Sequence, residues 1–147
     1  MTREAGKTGH YADGSDTVIG ACIEVHRELG PGLLESAYEQ CLCHQLRLRG
    51  VAFQRQAAVP VFYKDLLLDC GYRVDLLVEG RLVVEIKSVE RTSALHEAQA
   101  LTYLKLMGMP TALLVNFNVR VLKAELRRIS NDSFPSPQLQ RSNLGPT

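Results

Sequence analysis

The stretch "RLVVEIKSVE", residues 81–90, decides the fold, because it combines the pattern of a buried strand with two charges. The run 82–84 and Ile86 place apolar side chains on both faces, which predicts a central strand of a sheet. Glu85 and Lys87 interrupt this run and, being two residues apart, project from the same face. Removing either charged group from water costs several kcal/mol unless neighbouring polar or charged groups compensate for the lost hydration. We therefore expect partners for both charges.

Two helices and several strand-like pieces precede this stretch. The first helix is predicted to start near Asp16 as its N-cap, with an apolar stripe at Val18, Cys22, Val25 and Leu29. "GPG" at 30–32 ends it, and a second helix follows over 33–49. Strand-like segments occupy 51–56, 58–65 and 71–78. The last of these and the stretch 81–90 predict an antiparallel hairpin with its turn at 79–80.

A third helix is predicted after this hairpin, over 93–107, followed by the apolar strand "TALLVNF" at 111–117. A helix between two such strands favours a right-handed crossover and a parallel pair. The segment "VRVLKAELRRI", 119–129, fits either a strand or a strand followed by a helix. The predicted order is ααβββαβ with a final strand or helix, an α/β fold with a mixed sheet.

The length suggests a single domain, and the balanced charge does not indicate a partner that is bound by charge. The 147 residues are 46% hydrophobic and carry a net charge of +1, so the composition does not indicate nucleic-acid binding by charge alone. The composition predicts a flexible N-terminal tail over 1–14, a folded domain over 15–130 and a flexible C-terminal tail over 131–147.

The cysteines and the lack of long apolar runs indicate a cytoplasmic protein. Four cysteines, Cys22, Cys41, Cys43 and Cys70, form no CxxC pair. We interpret them as reduced thiols, mostly buried, with an iron–sulfur or zinc site as the alternative. The sequence has neither a secretory h-region nor an apolar run long enough to span a membrane, so no membrane association is expected.

A second carboxylate is expected beside Glu85. Asp75 lies in the apolar segment "YRVDLLV", 72–78, and reaches Glu85 if the two strands pair normally. Two adjacent carboxylates repel each other unless a cation lies between them, and an all-oxygen ligand set favours Mg²⁺ or Mn²⁺. Lys87 would then face the same site, where it can orient a water or stabilise charge on a phosphate. The alternative is a surface Glu–Lys pair on an edge strand.

The helices offer further polar candidates. Glu35, in line with Tyr38 and Leu42 on the second helix, either interacts with the helix dipole or contributes a further contact to the metal site. On the third helix, the polar residues His96, Gln99 and Tyr103 share one face and flank an expected apolar stripe of Leu95, Thr102 and Leu106. These polar residues are either solvated or line the site. His26 is interpreted as a structural histidine, with a site role as the alternative.

Several separated segments resemble one known family. "GLLESAY" at 32–38 matches the signature Gly32, Glu35, Tyr38 of the GxxExxY proteins. "VIGACIEVHRELGPGLLESAYEQCL", "GYRVDLLVEGRLVVEIKSVE", "HEAQALTYLKLMGMPTALLVNFN" and "LKAELRRI" are also similar to that family, over about 16–130. It is assigned to the PD-(D/E)xK nuclease-like superfamily. The resemblance implies a restriction-endonuclease-like core, a mixed sheet flanked by helices, and Mg²⁺-dependent hydrolysis of phosphodiester bonds.

The resemblance also implies roles for individual residues. Asp75 corresponds to the acid of the first catalytic strand, and Glu85 and Lys87 to the (D/E)xK element. Glu35 corresponds to an acid on a preceding helix, and Gln99 with Tyr103 to a QxxxY helix. The proline that precedes the acid elsewhere is Val74 here.

Two functions remain open from the sequence. The first is a nuclease of DNA or RNA in which Asp75, Glu85 and the Ile86 carbonyl hold Mg²⁺ or Mn²⁺, with Glu35 as a further contact, and Lys87 positions water. The second is a catalytically silent module that binds nucleic acid or a protein partner. A homodimer or a larger assembly is an option, since duplex cleavage requires two cuts.

Overall fold

The computed structural model describes residues 2–4, 13–69 and 71–133 of the chain. The helices are α1 (Ser15–Leu29), α2 (Glu35–Leu48) and α3 (Ala94–Met107), with a short 3₁₀ helix at Leu122–Glu125. The strands are β1 (Thr2–Glu4), β2 (Phe53–Ala58), β3 (Val61–Tyr63), β4 (Leu66–Leu68), β5 (Arg73–Val78), β6 (Leu82–Lys87), β7 (Thr111–Asn116) and β8 (Leu126–Ser130).

A six-stranded mixed sheet in the order β1-β8-β7-β6-β5-β2 forms the centre of the fold. β6 pairs antiparallel with β5 and parallel with β7, as the hairpin and crossover predictions required. The first five residues of β6 are buried, so the central position predicted for this stretch is confirmed. The edge-strand alternative is wrong, because β6 has a neighbour on each side.

Helices cover both faces of this sheet. α1 and α2 pack on one face, where Leu76, Val84, Ile86 and Val115 point. α3 packs on the opposite face, together with side chains of β5, β6, β7 and β8. This alternation follows from the period of two along each strand, and the mixed α/β architecture predicted from the sequence is confirmed.

The structure departs from the predicted element order in four places. Five strands separate α2 from α3, where the predicted order has three and the strand-like segments number four, because residues 61–68 form a two-stranded hairpin, β3–β4, apart from the main sheet. The chain before α1 contributes β1, which pairs with β8. α1 begins at Ser15 with Gly14 at the N-cap, so Asp16 is not the cap. The final segment forms a 3₁₀ helix followed by β8.

The apolar stripe predicted for α3 is wrong. Leu95 is 76% exposed and Thr102 is also exposed, whereas Ala100, Tyr103 and Leu104 are the buried residues of this helix. The buried face is therefore rotated toward Tyr103, which sequence analysis had assigned to the flanking polar face. In α1, the stripe holds at Val18, Cys22 and Val25, which are buried, but Leu29 is partly exposed.

Other predictions concern the termini and the cysteines. The predicted tails lie largely outside the described residues, so their flexibility and the domain limits remain predictions. Cys22 and Cys43 are buried and Cys41 is exposed, all as free thiols, whereas Cys70 lies outside the described residues. None of the helices described is long and apolar enough to cross a membrane.

Candidate active site

The candidate site lies where β5 and β6 separate. Their registered pairs run from Val78–Leu82 to Leu76–Val84 and then stop. The next pair in the same register would be Asp75 and Glu85. Instead of continuing the backbone ladder, the chain places these two carboxylates at the point where the strands part.

Each carboxylate binds a backbone amide of the other strand. The Ile86 N–H donates to Asp75 Oδ2 at 2.7 Å, and the Asp75 N–H donates to Glu85 Oε1 at 3.0 Å. The side chains thus replace the missing ladder bonds and satisfy two amides. This reciprocal arrangement fixes both carboxylates relative to the sheet.

Their surroundings penalise the charged forms. Burial raises the pKa of the Glu85 carboxyl to about 7, and the Asp75 and Glu35 charges also raise it, while the Asp75 amide and the Lys87 ammonium oppose the rise. Burial likewise raises the pKa of Asp75, with a further contribution from the Glu39 charge. An acidic pair of this kind is stabilised by a nearby cation.

Lys87 is the cation that the protein itself supplies. It lies at the end of β6, on the same face as Glu85, and is partly buried. Its ammonium lowers the pKa of both Asp75 and Glu85. None of the carboxylates in the described residues lies within 4.0 Å of its Nζ as an ion pair, so the ammonium is close to the acidic pair without neutralising either member by direct contact.

The start of α2 anchors the chain just beyond Lys87. The Ser88 N–H donates to Glu35 Oε2 at 3.2 Å, and the Ser88 hydroxyl donates to the Leu33 carbonyl at 2.5 Å. Glu35 is exposed, and its observed bond is to backbone rather than to either acidic side chain. Its carboxylate nevertheless lies close enough to Glu85 to raise the pKa of that group.

Tyr38 holds the loop from which Glu35 projects. Its hydroxyl donates to the Gly30 carbonyl at 2.6 Å and accepts from the Leu33 N–H at 3.1 Å. The ring is fully buried and stacks on Phe117, with centroids 4.6 Å apart. Gly32, inside this loop, has φ of 104°, which strongly favours glycine. Of the Gly32–Glu35–Tyr38 motif, two residues therefore shape the loop and one reaches toward the site.

Sequence analysis missed a second polar group beside the pair. Glu39 is only 6% exposed, and its carboxylate accepts from Arg55 Nε and from Gln56 Nε2, both at 2.9 Å. Gln56 Nε2 also lies 3.3 Å from Asp75 Oδ1, which links Glu39 to the site. The position of Glu39, one helical turn after Glu35, was the available signal.

Gln56 adopts an unusual backbone conformation for this contact. Its φ is 52°, in the left-handed region that non-glycine residues rarely enter, and it faces the end of the β5–β6 ladder. The β2–β5 pairing also lacks a registered pair at this residue. Strained residues of this kind cluster at functional sites.

Of the α3 candidates, Tyr103 lies within electrostatic range of Glu85, whereas Gln99 lines a neighbouring cavity that includes neither the acidic pair nor Lys87. Tyr103 is 9% exposed, and after burial the Glu85 charge is the largest cause that raises the pKa of its phenol. Gln99, one turn earlier, is exposed and lines a cavity together with Tyr103. His96 does not join them, because its Nδ1 accepts from the Ser93 N–H in the N-terminal capping box of α3.

His26 has a structural contact, as the sequence interpretation favoured. Its Nε2 lies 2.7 Å from the Val119 carbonyl oxygen. Within the described residues, moreover, no group of three or more His, Cys, Asp or Glu side chains is arranged to hold a metal. This finding argues against the iron–sulfur or zinc alternative in that part of the chain.

The donor set fits a hard cation that requires few protein ligands. Mg²⁺ is bound through about one or two carboxylates, with waters and substrate phosphates completing the shell. Asp75 and Glu85 supply two such carboxylates, and a bound cation would oppose the effects of burial and of neighbouring carboxylates that raise their pKa values.

Comparison with known families agrees with this geometry. A family model described as the PD-(D/E)XK nuclease superfamily matches residues 12–129. No match is found among curated proteins or among solved structures. The match includes α1 and α2, the point where β5 and β6 separate, with Asp75 and Glu85, and α3. The chain therefore belongs to the PD-(D/E)XK nuclease superfamily.

Proposed function

We propose that this protein is a metal-dependent nuclease that hydrolyses phosphodiester bonds of DNA or RNA. One observation carries the proposal. Where β5 and β6 separate, the carboxylates of Asp75 and Glu85 each bind a backbone amide of the other strand, and Lys87 lies near both. Apolar strands rarely hold three charged groups so close together without a chemical use. Membership of a nuclease superfamily supports the same conclusion.

Asp75 and Glu85 would hold the divalent cation, Mg²⁺ or Mn²⁺, and the Ile86 carbonyl is a further candidate ligand. When bound, the cation supplies Lewis-acid stabilisation of charge on the phosphate and on the leaving oxygen. The carboxylates need no large rearrangement for this role, because backbone amides already fix one oxygen of each.

Lys87 would position the attacking water and stabilise negative charge on the phosphate. Its place at the end of β6 puts the ammonium beside both carboxylates without a direct ion pair, so its donors can serve water or phosphate. The bond of Glu35 to the Ser88 amide fixes the chain immediately after this lysine. We assign Glu35 a positioning role rather than direct metal ligation.

The test is a panel of single- and double-stranded DNA and RNA incubated with Mg²⁺, with Mn²⁺ and with EDTA. We expect cleavage of at least one substrate that requires the metal and is lost in Glu85→Ala. Gel analysis of end-labelled substrates measures it. Absence of cleavage across the whole panel would overturn the proposal.

A binding module without turnover is the second candidate. It is favoured by the absence, within the described residues, of a third acidic ligand placed with Asp75 and Glu85. In that case, Asp75→Ala and Lys87→Ala would leave the cellular phenotype of the intact gene unchanged. A nuclease would lose its phenotype with both substitutions.

A further inference from the structure

A cavity beside the candidate active site has the lining of a base-binding pocket. It has a volume of about 410 Å³, and we call it the tyrosine pocket after Tyr72 and Tyr103. Its other lining residues include Val61, Leu95, Gln99 and Leu106. Gln99, Thr102 and the two tyrosine hydroxyls are its polar groups, and none of the described residues that line it is charged, so the pocket offers mainly apolar and aromatic contact area.

Tyr103 connects the tyrosine pocket to the face of the sheet on which Glu85 lies. Tyr103 packs in the same cluster as Val74 and Val83. Val74 precedes Asp75 in β5, and Val83 points to the same face as Glu85 in β6. The Glu85 charge also raises the pKa of the Tyr103 phenol, so a ligand held against Tyr103 lies on the side of the sheet that carries Glu85 and close to that carboxylate.

The opening of the pocket presents an aromatic surface. Tyr72 is 48% exposed, and its ring is tilted by 51° against Tyr103, with centroids 6.1 Å apart. Because the two rings do not stack on each other, Tyr72 keeps ring surface available to a planar ligand. Its backbone is held in place, since its carbonyl accepts from the Val59 N–H at 2.9 Å.

Gln99 provides a polar contact suited to the edge of a base. Its exposed amide lies at the rim, one turn before Tyr103 on the same face of α3. An amide carries both a donor and an acceptor, the combination that pairs with base edges. Aromatic surface plus an amide thus matches a nucleobase better than an aliphatic ligand.

We propose that the tyrosine pocket binds an unpaired nucleobase adjacent to the scissile phosphate, so that the enzyme acts on single-stranded DNA or RNA. This inference rests on the proposed nuclease function. A base inside a duplex is stacked on both sides and paired along its edge, so it cannot enter the pocket without leaving the helix. Single strands offer their bases freely, and stacking on aromatic side chains holds them regardless of sequence.

The first test compares substrates with the unmodified full-length protein. The protein is incubated with Mn²⁺ and one of three kinds of substrate. These are single-stranded DNA or RNA oligonucleotides, the corresponding duplexes, and single strands that contain abasic sites. We expect cleavage of a single strand to exceed that of its duplex and of the abasic strand by about tenfold or more. Equal rates on all three substrates would overturn the proposal that the pocket binds a base. Comparing the rates on DNA and RNA shows which sugar the natural substrate carries.

The second test uses variants. Tyr72→Ala should raise the KM for the single strand by about tenfold, because it removes the stacking surface. Tyr63→Ala is the matched control, since Tyr63 is also an exposed tyrosine but lies on β3 outside the pocket lining. An identical KM for the two variants would contradict the proposal, and circular dichroism checks that both are folded.

A binding measurement separates failure of the pocket from failure of the nuclease. Fluorescence anisotropy with Glu85→Gln protein in EDTA compares a labelled single strand with its abasic counterpart. Tighter binding of the strand with bases supports the pocket even if no substrate is cleaved. Equal binding, alongside metal-dependent cleavage by wild type, overturns the pocket and leaves the nuclease in place.

Discussion

At the scale of single residues, the site is a compromise between function and stability. Asp75 and Glu85 are held by backbone amides, yet burial raises the pKa values of both carboxyls, with further repulsion by Glu39 on Asp75 and by Asp75 on Glu85. Without a cation, ionising Glu85 costs free energy that the fold must offset. We therefore expect the acidic pair to destabilise the metal-free protein.

Glu85→Gln should stabilise the metal-free protein more at pH 8 than at pH 5. The folded pKa of Glu85, about 7, lies above the ordinary value of 4.5, so folded protein holds this proton more tightly than unfolded protein. The contribution of Glu85 to stability is therefore lost as pH rises through that window, by on the order of 3 kcal/mol. Glutamine keeps the acceptor for the Asp75 amide but has no charge.

Urea unfolding of both proteins in EDTA at the two pH values measures this effect. The comparison between pH values separates the ionisation of Glu85, and of Asp75 with which it interacts, from effects of the substitution that do not vary with pH. A difference between wild type and variant that is the same at pH 5 and pH 8 would contradict the raised pKa.

The central part of the site could be predicted from sequence because its charges interrupt apolar runs. Asp75, Glu85 and Lys87 stand out for that reason, and the structure brings them together. Glu39 was missed because its burial depends on Arg55 and Gln56, which come from a strand whose position the sequence does not reveal. The left-handed backbone of Gln56 likewise arises from the tertiary fold.

At the scale of elements, the loop before α2 and the end of β6 form one unit. The Tyr38 hydroxyl fixes Gly30 and Leu33, and Leu33 and Glu35 both bind Ser88. The loop therefore helps to fix the end of the strand that carries Glu85 and Lys87.

Glu35→Gln should retain most cleavage activity. Glu35→Ala should lower the cleavage rate by about tenfold, which corresponds to the loss of one charge-assisted hydrogen bond. Glutamine still accepts from the Ser88 amide, but alanine does not. Steady-state kinetics on one oligonucleotide checks the difference. If both variants lose activity equally, the Glu35 charge itself acts at the metal and our positioning role is wrong.

Tyr38→Phe should lower the free energy of unfolding by about 1–2 kcal/mol, because it leaves two backbone groups of the loop without their partner. Tyr63→Phe is the control, since Tyr63 is 63% exposed and its loss of a hydroxyl should change little. Urea denaturation measures both. Equal stability of the two variants would show that the loop does not depend on the Tyr38 hydroxyl.

Element types could be predicted where the pattern is long and regular, as in β6, α2 and the parallel pair with β7. The buried face of α3 could not, because Leu95 and Tyr103 are each plausible core residues by composition. The choice between them depends on how the helix rests on the sheet. The predicted strand 58–65 includes β3 and the turn at 64–65, and β4 was not predicted, because that turn carries no glycine or proline to mark a hairpin.

At the scale of the whole molecule, charge is nearly balanced, with 17 basic and 16 acidic residues. Such a net charge attracts a polyanion weakly, so on the proposed function we expect a nucleic acid to be recognised through the site and the tyrosine pocket rather than through a broad basic patch.

Binding of a single-stranded oligonucleotide should therefore depend weakly on salt. Fewer than about three phosphates are expected to be neutralised, which gives a slope of log K against log salt smaller in magnitude than about 2. Anisotropy titrations between low and moderate salt, with Glu85→Gln protein, measure it. A steep slope would indicate an extended phosphate-binding surface and contradict this account.

The most direct test of the central claim is the cleavage rate of one single-stranded oligonucleotide by wild type and by Glu85→Gln, each with Mn²⁺ and with EDTA. We expect metal-dependent cleavage by wild type and a rate at least about a hundredfold lower in the folded variant. Cleavage by Glu85→Gln at the wild-type rate, or cleavage by wild type that persists in EDTA, would contradict it.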